Sequence, residues 1–92
     1  MTEAYIGEIR LFGGGYTPRG WLLCDGRHLP ASAFPELFAV IGHRYGGDES
    51  TFAVPDLNHA MNAQSGVAYI IAMAGRTPVR PEAYIQVQGE AS

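Results

Sequence analysis

Cys24 is the lone cysteine of the chain, and His28 stands four residues beyond it, across Asp25-Gly26. A cysteine nucleophile needs a base within hydrogen-bond reach and a third group to orient that base. The sequence supplies no such third group. The competing reading makes Cys24 a small buried strand residue, Asp25 an acceptor of backbone N–H bonds in a turn and Gly26 the residue that lets the chain turn. We adopt the second reading and assign no catalytic residue. His28, His43 and His59 lack the short pairing that structural zinc sites use. A metal would need ligands from distant loops, or one histidine beside a threefold axis of symmetry-related chains. Ordinary surface or hydrogen-bonded histidines are the expectation, with no metal and no cofactor.

Gly46-Gly47-Asp48-Glu49-Ser50 lacks the Lys-Ser/Thr of a phosphate loop and the alternating carboxylates of an EF-hand. Asp48, Glu49 and Asp56 together suit a weak cation, but a solvated acidic turn explains them better. Tyr16, Arg19, Arg44 and Tyr45 lie in two glycine-rich loops. Exposed tyrosine and arginine carry binding energy at protein and sugar surfaces, so these four are the binding candidates. An equal account makes Tyr45 a core plug and gives Arg19 or Arg44 to Asp25 or Asp48 as an ion-pair partner.

The elements that would hold these residues are short. Tyr5 to Phe12 reads as a half-exposed strand, with Ile9 and Leu11 on one face and Glu8 and Arg10 on the other. Gly13-Gly14-Gly15 ends it. Trp21-Leu22-Leu23-Cys24 is an apolar run closed by Asp25-Gly26, which predicts a hairpin or a sharp exit from a strand. A helix is expected from an N-cap at Ser32 to Ile41, with Pro35 in the tolerant first turn, Glu36 near the positive end of the dipole and Gly42 as the stop. Phe34, Leu37, Phe38 and Ile41 fall on one stripe and are candidate core. His43 to Ser50 is a loop into a short strand, Thr51 to Val54, and Pro55 turns the chain again. Gly66 to Ala74 is apolar on both faces, which suits a strand covered on both sides by the domain or by a neighbouring subunit. Tyr84-Ile85-Gln86-Val87 suggests an added edge strand.

Composition narrows the function classes. At 92 residues the chain is near the lower end of what folds on an apolar core alone, so a partner subunit would help. The net charge is −3, and all six bases are arginine. That balance argues against a nucleic-acid face, which needs clustered positive charge. No secretory signal is visible at the N-terminus, so synthesis in a cytoplasm is expected. The apolar run from Val67 to Ala74 is far short of the ~20 residues that span a bilayer, and no membrane insertion is expected. One cysteine cannot form an intrachain disulfide.

Turn-forming residues punctuate the first 57 positions at definite intervals: Pro18-Arg19-Gly20-Trp21, Cys24-Asp25-Gly26, Tyr45-Gly46-Gly47-Asp48 and Thr51-Phe52-Ala53-Val54-Pro55-Asp56-Leu57. In this order, with Gly7, Ile9, Phe12, Leu29, Leu37, Phe38, Ile41 and Gly42, they resemble the phage tail collar family, which includes tail-fibre proteins and the bacterial proteins named microcystin-dependent. Val67 to Gly75 resembles the apolar strand that closes longer members. Asn58 to Ser65 departs from the family, being a short polar bridge where many relatives carry an Arg-rich motif and a long Gly-rich region. The resemblance implies a shortened, small α+β domain, mostly β, with several short strands and one short helix. Residues 1–76 would form it, with core motifs at 5–57 and the closing strand at 66–75, leaving 77–92 as a tail. The implied function is a non-enzymatic structural or adhesive part of a phage tail fibre or a related contractile assembly, at its host-facing end. Homo-oligomers, trimers above all, a larger fibre protein and a cell-surface glycan are the implied partners. The rivals are an accessory protein that uses the fold to bind another oligomeric complex, and a free-standing glycan- or ligand-binding module in which Trp21 or a loop tyrosine stacks on its ligand.

Overall fold

The apolar segment after the polar bridge organises the molecule. In the computed structural model, which describes residues 4–58 and 66–79, it forms the central strand of a three-stranded antiparallel sheet. In chain order the elements are β1 (Ile9–Phe12), β2 (Trp21–Leu23), β3 (His28–Pro30), α1 (Pro35–Ile41), β4 (Thr51–Ala53) and β5 (Ala68–Ala72). β5 lies between β1 and β2, and β3 pairs antiparallel with β4 in a second, two-stranded sheet. The result is the mostly β, α+β domain with one short helix that the sequence predicts. No helix among the described residues is long and apolar enough to cross a membrane.

Register explains why β5 is apolar on both sides. Ile71 is opposite Ile9 and Leu22, and it is fully buried in the core with Ile6, Cys24, Leu29, Leu37, Phe52 and Val54. Ile70 is opposite Arg10 and Leu23, so it lies on the other face. It is buried as well, so the domain itself covers this strand. The expected alternation in β1 holds only in part. Ile9 packs against the core, but Leu11 on the same face is 56% exposed, because the core cluster reaches Ile9 and stops short of it.

Asp25-Gly26 makes a sharp exit and not a hairpin: β2 and β3 belong to different sheets. Past the turn the chain zips onto the Val54-to-Asn58 segment. Gly26 N–H donates to the Pro55 carbonyl, Val54 N–H to that of Arg27 and Leu57 N–H to that of Cys24, with Asp25 bridged to Asp56. This pairing continues the β3–β4 register, so Cys-Asp-Gly and Pro-Asp-Leu are two sides of one ladder.

The helix starts later than expected. Its N-cap is Phe34, with φ −130° and no side-chain cap bond, and Pro35 is the first helical residue. Ala31 to Phe34 form a turn instead, in which Ala33 and Phe34 N–H both donate to the Pro30 carbonyl. Proline disfavours helical backbone in the residue before it and needs no N–H at the first position, so Pro35 overrules Ser32. Gly42 caps the other end, its N–H donating to the Phe38 carbonyl at 2.7 Å. The stripe behaves as expected, with Leu37 buried and Phe34, Phe38 and Ile41 packed against the core. The Tyr84–Val87 segment and His59 lie outside the described residues.

Candidate functional site

Cys24 directly follows β2 and lies within the core, and no part of it is exposed. Burial, and then the charge of neighbouring Asp25, push its thiol from 9.0 to about 11. A thiol so placed stays protonated at neutral pH and out of reach of a substrate. Its carbonyl, by contrast, is heavily used.

Asn58 is the residue that the sequence reading passed over. Its amide Nδ2 donates to the Cys24 carbonyl and to the Tyr69 carbonyl, both at 3.0 Å, while its Oδ1 accepts Tyr69 N–H at 2.8 Å. The side chain thus acts as a short piece of strand between the end of β2 and the middle of β5. Its position directly after Pro-Asp-Leu was the available signal, since an amide there meets a ladder that has just run out.

Asp25 accepts the Arg27 backbone N–H and grips its guanidinium through Nε and Nη2, the closest contact being 2.8 Å. The Arg27 side chain holds the Asp25 carboxyl below its usual range. The carboxylate role predicted for Asp25 is therefore correct, but its cation is neither Arg19 nor Arg44. Gly26, with φ 79°, supplies the turn.

In the second loop, Asp48 Oδ1 accepts the Ser50 and Thr51 N–H groups at 3.0 Å and the Thr51 hydroxyl at 2.9 Å. These bonds, the Thr51 hydroxyl first, hold its carboxyl low. His43 Nε2 faces two carbonyls, Asp48 at 2.6 Å and Thr51 at 3.1 Å, so that nitrogen carries the proton and donates. Asp48 Oδ1 closes the acidic turn on itself through Ser50 and Thr51. Among the described residues no group of three His, Cys, Asp or Glu side chains is placed to hold a metal ion.

The four binding candidates separate into two places. Tyr16 and Arg19 belong to the loop between β1 and β2, whereas Arg44 and Tyr45 lie in the turn after α1. Tyr45 is 41% exposed and so is not a core plug. Tyr16 is exposed and stands edge-on to Phe12, with ring centroids 5.3 Å apart. It borders an apolar cleft of about 360 Å³ whose walls include Phe12, Leu23, Val67 and Ile70. Arg19 borders a second concavity, of about 390 Å³, with Thr17, Trp21, Arg27 and Met73. Trp21 is half-buried, and the Arg10 guanidinium sits 5.7 Å from its ring centroid.

In this turn-rich β domain Asp25, Asp48 and Asn58 bond to nearby backbone and Cys24 is buried, which leaves the loops at its surface. The chain belongs to the phage tail collar domain family, whose model matches residues 7–61. Beyond the family, it is similar to the protein RhiB of Rhizobium leguminosarum bv. viciae, with 52% identity over 42 residues. That match covers 41% of this chain and 19% of RhiB, so the shared part spans about a fifth of that relative.

Proposed function

We propose that this chain is a non-enzymatic structural and adhesive component of a phage tail fibre or a related contractile assembly, placed at the host-facing end and associated as a homotrimer. The observation that carries the reading is the collar-family match across the whole motif-bearing part of the chain, residues 7–61. Two features support self-association. β1 and β2 are the outer strands of the three-stranded sheet, and Leu11, Tyr16 and Val79 place large apolar side chains at the surface. A domain this small gains from burying such surface against copies of itself.

Light scattering on a sizing column over a range of concentrations tests the assembly. A trimer elutes at about 30 kDa, three times the 9.9 kDa chain. A clean monomer at every concentration overturns the homotrimer.

A further inference from the structure

A concavity lies between the β1–β2 loop and the start of β2. Its lining includes Thr17, Arg19, Trp21, Arg27 and Met73. The loop is fixed at both ends of its turn. Trp21 N–H donates to the Pro18 carbonyl at 3.2 Å, and Met73 N–H donates to the Gly20 carbonyl at 2.9 Å. Arg27 is equally fixed, because Asp25 grips it through Nε and Nη2. A guanidinium already held in place loses little freedom on meeting a ligand.

Charge then selects the ligand. Two cations line this place, Arg19 and Arg27, and a third, Arg10, lies outside the lining over the Trp21 ring. Asp25 neutralises Arg27 and Glu8 neutralises Arg10, in ion pairs of 2.8 and 2.6 Å. Among the described residues Arg19 makes no ion pair. One formal positive charge therefore remains beside an indole, on a chain whose net charge is −3. The neighbouring cleft at Tyr16 has no comparable polar anchor, since the Asn58 amide in its wall is spent on the backbone.

We infer that this concavity binds a carboxylate-bearing sugar residue, such as a hexuronate, with the carboxylate on Arg19 and the edge of Arg27 and the ring against Trp21. One full charge-assisted contact, at Arg19, with a weaker one at the already paired Arg27 and partial stacking, corresponds to a Kd on the order of 1 mM for the isolated sugar. Repetition on an oligomer would raise the avidity for a polymer. The inference rests on the adhesive part of the function proposed above, but not on the trimer, which the native mass tests separately.

Trp21 is the sole tryptophan of the chain, so its fluorescence reports on this site. Methyl glucuronide titrated to tens of millimolar at constant ionic strength should change the emission saturably, whereas methyl glucoside and acetate should not. Arg19→Ala, on an exposed loop, should weaken binding about tenfold while leaving the thermal midpoint unchanged. Arg27→Gln gives a second reading if that variant folds poorly. An unsaturated or equal response to methyl glucoside overturns the charge selection. An equal response to acetate overturns the sugar. Unchanged affinity in both arginine variants overturns the site.

Discussion

At the scale of single residues, the decisive contacts are made by side chains that imitate backbone. Asn58 makes three hydrogen bonds to Cys24 and Tyr69, and no charged group could replace it. An aspartate there would accept the Tyr69 N–H but donate to neither carbonyl. Asn58→Ala leaves the Tyr69 N–H without its partner, while the Cys24 and Tyr69 carbonyls keep backbone donors, and should cost about 1–2 kcal/mol. A lowered urea midpoint with an unchanged slope would show it. Asn58→Asp should be no better at neutral pH, despite its nearly equal size.

At the scale of elements, glycine placement decides which strands can form. Gly47 has φ 118°, and a Cβ there would lie 2.6 Å from Phe52 Cα and against the Thr51 carbonyl. Both obstacles are backbone of β4, so neither can swing aside. Gly47→Ala should therefore cost at least about 2 kcal/mol and loosen the β3–β4 pair. Faster amide exchange at Leu29 and Phe52, measured by NMR, is the expected local sign. Exchange unchanged at those amides would mean that the loop had re-formed without harm to β4.

For the molecule as a whole, stability should form a plateau between two titrations. Tyr5 N–H and Arg10 hold the Glu8 carboxyl low, and Asp25 and Asp48 are held low by Arg27 and by Thr51 with Ser50. The unfolded state binds more protons at these groups, so their contribution is present above their ordinary values of 3.8 to 4.5 and is lost as pH falls below them. Cys24 has the opposite sense. Its folded thiol is raised from 9.0 to about 11, so its contribution is full below pH 9 and is lost as pH climbs toward 11. At about 1.4 kcal/mol per pH unit this loss is on the order of 2–3 kcal/mol. Urea titrations at pH 8 and pH 10.5 should show a difference in the native chain that Cys24→Ala largely removes.

The sequence by itself determined the kinds of element and their punctuation. The helical stripe, the apolar strand and the tight turns follow from local rules of periodicity, proline and glycine, which operate over a few residues. It also determined the family, because the ordered motifs from Gly7 to Leu57 fall within the matched span. Local rules competed at the start of the helix, where a capping serine and a proline three residues later both had a claim and the proline prevailed. Only the tertiary structure decided that the strands on either side of the helix, β3 and β4, pair with each other, and that Asn58 joins β2 to β5. The last of these spans 34 residues to Cys24 and 11 to Tyr69. The same holds for the concavity at Arg19, where Met73 and Arg27 meet the β1–β2 loop. Contacts so far apart along the chain leave no periodic trace, since each depends on how the sheets close around one core and not on the residues next to it.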